Sequence, residues 1–458
     1  MKNSLVNNFF LIIIFLIFTS IFFLEFFYFL PSPTGDDLWF LKLSFNICRE
    51  NLFVATNHSI FQVNAETLDW TTHGWFNQYI MAKLNFACSL RGIFTFNFFI
   101  KVFSSILVYF ILKEKKVNII YIYLLILLTI AIQLKLQFRP ETFTIFLYLL
   151  LFYSFFKRYF FVSGILLATI FFTQPTIFVL ITLFGLIIYF NEFINNYKKI
   201  ILGSLVGSVC LLYIYPYSFL DYIYGLWEHK TALKGTYTLI DGGINKSFLD
   251  NLITYYVKTY FLPLFGFMFL FAYIFLILKN KLILLTIPFI FFFGPNAPSA
   301  NYILISLTPF ILILLLCLKD SENYNIKYIK YIKYIKYLFS FILIISTLGL
   351  SQYYLRNILT FVQYGHELDK TKEFLFKNKN QIKIYPGFSF MLDENFKHVS
   401  LGGKNIDSTN LTLKIYAANG SRNNCPKNYI YENKTQQIKI FSKKIFNSNS
   451  GYGIWVCN

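Results

Sequence analysis

Two adjacent carboxylates, Asp36 and Asp37, stand in the stretch Thr34-Gly35-Asp36-Asp37-Leu38-Trp39, just past the first apolar run. Held at a bilayer surface by Trp39 and Phe40, either can take a proton from an acceptor hydroxyl, and the pair can hold a divalent metal. The plainer role is a helix N-cap, which Asp commonly fills. A second polar element is Gln137-Phe138-Arg139-Pro140-Glu141-Thr142. The Arg139 fork can grip a phosphate with two bonds at once. Pro140 and Glu141 suit the first and second positions of a helix, so this element also reads as a helix start. Both roles are compatible, and an Arg on the outer side runs against the usual charge bias.

Three further groups can do chemistry. His73, in Thr72-His73-Gly74-Trp75-Phe76-Asn77-Gln78-Tyr79, can bind a phosphate or a metal, although a lone His is more often structural. Its aromatic neighbours predict an amphipathic segment lying on the membrane. His229 and Lys230, in Trp227-Glu228-His229-Lys230 with Lys234 close by, form either a grip for a lipid-linked phosphate or a solvated turn. Glu25, Lys101 and Lys258 fall within apolar runs, where ionisable groups are functional candidates by default. All three lie toward the outer ends of their runs, so they are expected to snorkel if they have no other task. No phosphate-cradling Gly loop, fixed-spacing His or Cys metal pattern, or Ser nucleophile elbow is present. Nothing points to ATP, so the energy of any reaction must arrive with the substrate.

The elements that position these residues are read from hydropathy and charge. The 458 residues are 56% hydrophobic and 14% charged, where a soluble domain carries about 25% charge, which makes this a membrane protein by composition. The net charge of +19 is spread over short clusters and the tail with no single basic groove, which argues against nucleic acid as a partner. Apolar runs recur at 8–30, 93–112, 118–134, 142–156, 159–172, 176–190, 200–219, 253–278, 282–294, 302–318 and 338–353, predicting about eleven transmembrane helices. The short ones are expected to be tilted or buried among other helices. The first run is too long and aromatic for a signal-peptide core, so it reads as a retained span with a cytoplasmic N-terminus.

Basic clusters test this topology. Lys113, Lys115 and Lys116 fall in one connection, Lys157 and Arg158 in another, then Lys198 with Lys199, then Lys279 with Lys281, and last Lys319 with the Ile-Lys-Tyr repeat from Ile326 to Tyr337. All fall on the inner side under the positive-inside rule, which also explains the repeat without a lipid-binding role. The outer side receives the long first loop (31–91), shorter loops and the whole tail. The expected organisation is a multi-span membrane domain, 1–352, followed by an outer-face domain, 353–458. The tail carries strand-like runs, a closing run Gly451-Tyr452-Gly453-Ile454-Trp455-Val456, and helical spacing over Gly365–Asn378, predicting a small α+β unit. The fold class is therefore mainly α. Cys48 and Cys88 share the first outer loop and Cys425 and Cys457 share the tail, permitting two disulfides without fixing the pairing. Five Asn-x-Ser/Thr sequons occur on the same side, as chance allows in so Asn-rich a chain.

On these residues the chain resembles the GT-C superfamily of membrane glycosyltransferases, in particular bacterial members that use polyprenyl-phosphate sugars. Asp36-Asp37 stands where that family keeps an acidic pair in the first outer loop. Thr72-His73-Gly74-Trp75 looks like its His-containing interfacial helix, and Arg139-Pro140-Glu141 resembles an Arg-x-Glu element at an outer helix mouth. Asn301-Tyr302-Ile303-Leu304 leading to Pro309 is similar to an Arg-Tyr…Pro stretch of a late span, with Asn301 where a basic residue is common. The resemblance covers the membrane part. It implies inverting transfer of a sugar from a polyprenyl-phosphate donor to a glycolipid, polysaccharide or protein acceptor at the outer face of the cell membrane. It further implies Asp36 or Asp37 as general base, with Arg139, Glu141, His73, Tyr302 and His229 or Lys230 around the donor phosphate, and a divalent metal at Asp36/Asp37 as the one candidate cofactor. A polysaccharide polymerase or ligase is the enzyme alternative. A multi-span lipid or solute transporter is the other, although no internal repeat of the kind such folds show is visible.

Overall fold

The computed structural model describes residues 2–28, 75–174 and 189–215 continuously, with positions inside 40–49, 178–185, 218–220, 308–316 and 340–359 and the backbone of three strands in the tail. Its described part is mainly helical. In chain order the helices are α1 (Lys2–Tyr28), α2 (Trp75–Lys83), α3 (Leu90–Glu114), α4 (Ile119–Lys135), α5 (Pro140–Phe156), α6 (Phe160–Thr173) and α7 (Phe190–Ile214), and the strands are β1 (Lys414–Asn419), β2 (Ser442–Asn447) and β3 (Tyr452–Cys457). Among the described residues, three helices are long and apolar enough to cross a membrane, over Asn8–Phe27, Arg91–Glu114 and Phe190–Ile214. At 1.5 Å per residue, the 20 residues of the first reach about 30 Å, the thickness of a hydrocarbon core.

The chain divides into two compact units, one of residues 1–23, 71–77 and 95–354 and the other of 24–70, 78–94 and 355–458. In the first, two of the long helices, α1 and α7, are the exposed ones, while α3 is largely buried. Phe9, Ile12, Phe15 and Leu16 project outward from α1, and Leu202, Leu205, Val209 and Tyr213 from α7, as side chains facing lipid would. The short helices α4 and α5, 17 residues each, are buried along most of their length. Their shortness fits a place among other helices. Aromatic contacts join the layers: Phe10 stacks on Tyr123 at 4.8 Å, Phe22 meets Phe98 at 5.2 Å, and Phe96 meets Phe143 at 6.1 Å.

Two basic connections close the helices in the same way. After α3, Lys116 adopts φ 54° and the Val117 N–H reaches back to the Leu112 carbonyl. After α5, Arg158 adopts φ 63° and the Tyr159 N–H reaches the Ser154 carbonyl. Each is a left-handed helix stop that usually takes Gly; here a cation takes it, beside the negative end of the helix dipole. Lys157 Nζ pairs with Glu114 at 2.8 Å and Lys115 lies 4.9 Å from the Phe156 ring centre, so both connections sit at one end of the bundle.

Lys198 and Lys199 are not a connection. The sequence predicts them between two spans, yet α7 runs unbroken from Phe190 through both. The polar stretch Asn191–Lys199 contains no Gly or Pro to stop a helix, and Glu192 in the first turn suits the positive dipole end. Helix α7 then packs on α6 through its small residues. Ile200, Gly203, Gly207 and Leu211 form its buried face, Ser204 donates to the Gly164 carbonyl at 3.0 Å, and a side chain at Gly203 would run into the Phe161 carbonyl oxygen. A side chain at Gly164 would strike the Ile200 carbonyl oxygen in the same way.

In the second unit, Cys48 and Cys88 form a disulfide with Cα atoms 5.5 Å apart. It closes a loop whose ends lie 40 residues apart in the chain, and such bonds persist in oxidising compartments. After α2, Asn85 takes φ 60° and Phe86 N–H reaches the Met81 carbonyl, ending that helix. The tail strands make one antiparallel sheet in the order β1-β3-β2, with Ile415 opposite Val456 and Lys443 opposite Val456 on the other side. Strand β3 coincides with the closing run expected from sequence. The helix expected over 365–378 lies outside the described residues, as do Cys425, the Ile-Lys-Tyr repeat and the connections holding Lys279 and Lys319.

Candidate functional site: a buried polar layer

Helix α3 carries Asn97, Lys101, Ser104 and Ser105 at spacings of four, three and one, which places them on one helix face. All four are buried, Lys101 at 0% exposure. This corrects the expectation that Lys101 snorkels, because its head stays inside the protein. Glu25 at 1% corrects it likewise for α1, while Lys258 lies outside the described residues. The reason lies in the helix start: α3 begins at Leu90, so Lys101 sits three turns into the helix, too deep for its stem to reach the interface. The Ser105 hydroxyl donates to the Lys101 carbonyl at 2.9 Å.

The layer continues onto the neighbours. Gln133 Nε2, near the end of α4, donates to Ser104 Oγ at 2.8 Å and to the Thr142 carbonyl at 3.3 Å. One amide thus ties three helices together. The Thr142 hydroxyl donates to the Leu136 carbonyl across the α4–α5 link, and Thr144 to that of Pro140 at 3.0 Å. One turn deeper on α4, Thr129 and Thr308 hydroxyls lie 3.4 Å apart. Thr142, Thr144, Thr129 and Gln133 are each at most 1% exposed.

Arg139 is the N-cap of α5, with Pro140 at the first helical position and Glu141 in the first turn. This is the helix start read from sequence. Glu141 is buried at 3% exposure, where it meets the positive helix end. The Arg139 side chain makes no capping hydrogen bond, and it lies close enough to Lys135 to repel it. Arg139, Lys135, the buried Glu141 and a helix N-terminus therefore meet at one mouth, and a helix N-terminus is the kind of place where anions bind.

Of the other residues singled out from sequence, Asp36, Asp37, His73, His229, Lys230 and Tyr302 lie outside the described residues, including the pair expected to hold a metal. Among the described residues no three His, Cys, Asp or Glu side chains gather as metal ligands. The segment after His73 does form a helix, α2, but not one with its polar face outward. Trp75, Asn77 and Gln78 are buried at 2% exposure or less, and the Trp75 ring lies 4.8 Å from that of Tyr215 at the end of α7. Trp75 anchors α2 into protein, which overrides the interfacial preference of its aromatic residues.

Sequence reasoning passed over Asn97, Ser104, Gln133 and Gln174, and named Gln137 without giving it a role. The signal was available: polar residues recurring at helical spacing inside apolar runs. Comparison with known proteins finds no match to this chain among family models, curated proteins or solved structures.

Proposed function

We propose that the protein is an integral membrane glycosyltransferase of the GT-C kind, moving a sugar from a polyprenyl-phosphate donor to a glycolipid, polysaccharide or protein acceptor at the outer membrane face. The observation that carries this reading is the cationic mouth at Arg139 and Lys135 above a buried polar layer. A lipid-linked sugar phosphate has an anion at the headgroup level and a polar ring to be sheltered beside it, and this arrangement offers a place for each. The apolar α1, α3 and α7 give the lipid tail its solvent, and the Cys48–Cys88 disulfide fits an extracytoplasmic first loop.

In this mechanism Asp36 or Asp37 takes the proton of the acceptor hydroxyl. The freed oxygen attacks the anomeric carbon, the bond from that carbon to the phosphate oxygen breaks, and configuration inverts. The leaving polyprenyl phosphate keeps the electron pair, and Arg139 meets its charge, with His229 or Lys230 as further cations. The test is deletion of the gene with mass spectrometry of glycolipids, polysaccharides and glycoproteins, then complementation with wild type, Asp36→Asn, Asp37→Asn or Arg139→Ala at matched membrane levels. One sugar mass should vanish, return with wild type, and stay absent with at least one Asn variant. Glycans that keep every sugar and change only in length would indicate a polymerase or ligase.

One observation favours a second reading. A fully buried Lys101 within a spanning helix is the kind of group that lines transport pathways. An unchanged glycan profile in the deletion, with altered uptake or lipid sidedness, would decide for a transporter.

A further inference from the structure

Five carboxamide atoms of α4 to α6 and their links have bonding capacity that no described residue uses: both of Gln137, both of Gln174, and Oε1 of Gln133. The three residues are buried at 2%, 0% and 0% exposure. They belong to one end of the bundle. Gln133 bonds to Thr142 in the first turn of α5, and Gln137 lies in the link between them. Helices α5 and α6 pack together across a three-residue link, so they run antiparallel. With 17 and 14 residues, they bring Gln174, just past α6, back to within about one turn of the α5 start. Pro175 ends α6 there by disfavouring helix at the residue before it.

The atoms left idle identify the ligand chemistry. An anion would answer only the N–H donors, and a metal ion only the carbonyl oxygens. Amides idle at both ends call for a partner that donates and accepts together, as each hydroxyl of a sugar does. The hydroxyls of Ser104 and Thr142 stand in the same network. We propose that the carboxamides of Gln133, Gln137 and Gln174 recognise the hydroxyls of the transferred sugar, making this end of α4–α6 the sugar-specificity site. This rests on the glycosyl-transfer reading and adds to it the residues that read the sugar. Enclosure strengthens each bond. It also requires the mouth to open for entry, as in enzymes that close over a substrate.

The test uses full-length protein carrying Gln137→Leu, Gln174→Leu or both. Leucine keeps most of the bulk and removes both bonding atoms; Met replaces it wherever a Leu variant fails to accumulate. Without ligand, the variants should unfold in detergent at or above the wild-type temperature, because an idle buried amide is destabilising. Wild type and variants are then titrated with polyprenyl phosphate alone and with polyprenyl phosphates carrying glucose, galactose, mannose, N-acetylglucosamine or arabinose. One sugar-bearing lipid should bind wild type more tightly than the bare lipid phosphate. In the double variant that sugar increment should fall by about tenfold or more, with binding of the bare lipid unchanged. A surviving increment, or no sugar-bearing lipid that outdoes the bare one on wild type, overturns the proposal. The transfer reading fails separately, if deletion leaves every sugar in place; if deletion removes a sugar and the double variant restores it fully, the specificity site alone is refuted.

Discussion

Helix α7 meets α6 through almost no side chain, whereas α3 meets α4 and α5 through amides and hydroxyls. At the first contact Gly203 and Gly164 bring backbones together and, among the described residues, the polar bond runs from Ser204 to a carbonyl. At the second, Gln133 joins Ser104 and Thr142, with Lys101 buried on the same face of α3. Packing of small residues is sufficient to hold two helices in lipid. A polar layer in the same molecule is then not needed for association alone, which is why function is sought there and not at the glycines.

The largest effect should come from the glycine contact. Gly203→Leu places a branched side chain against the Phe161 backbone, which cannot yield as a flexible side chain would. The expected loss is roughly 3 kcal/mol or more, read as a lower unfolding midpoint and reduced membrane accumulation. Gly203→Ala should cost less but still be destabilising. A Leu variant as stable as wild type would mean that α6 and α7 do not touch as described, and the contrast with the polar layer would collapse.

The same two contacts show what a sequence can disclose. The start of α5 was legible because Pro140 and Glu141 are local signals of a helix N-terminus. The buried interior of α4 and α5 followed from their shortness against the bilayer. The Cys48–Cys88 pairing was open because two cysteines in one loop permit a bond but do not fix their distance. Lys101 misled because its depth depends on where α3 begins, and the loop before Leu90 gives no clear boundary. Gly203 and Gly207 are visible at a spacing of four, but nothing in α7 names Gly164 as the partner. Partners across helices are a tertiary fact, and hydrophobic pattern alone does not encode them. Asp36, Asp37, His73, His229, Lys230 and Tyr302 remain expectations from residue type and resemblance.

A double-mutant cycle sharpens the comparison at middling size. Gln133→Leu and Ser104→Ala, alone and together, should reveal a coupling of about 0.6 and at most about 1.7 kcal/mol, the range for hydrogen bonds between membrane helices. The control cycle pairs Gln133→Leu with Ser204→Ala at the glycine contact. These residues share no partner, so their effects should add to within about 0.5 kcal/mol. Coupling in the control as large as in the test pair would show that both contacts belong to one cooperative element, and the assignment of function to only one of them would lose its basis.

The smallest effect belongs to the far end of the polar region, where Lys157 pairs with Glu114 and ties the end of α3 to that of α5. The hydrogen bond that Lys157 donates to Glu114 raises its pKa above the ordinary value; burial opposes the rise, and the Glu114 charge adds to it. A folded pKa above the unfolded one means the pair's contribution is fully present below the ordinary lysine range. It fades as pH rises through that range to the raised value. Both groups are solvent-accessible, so the change in midpoint should be slight and should shrink with added salt. Lys157→Met and Glu114→Gln should each flatten that alkaline decline while leaving stability at neutral pH nearly unchanged. If either variant instead destabilises at neutral pH well beyond what Gln133→Leu does, the charge pair holds α3 to α5 more than the buried amide does. The polar layer would then carry the lesser structural duty, and its buried amides would be the more available to a ligand.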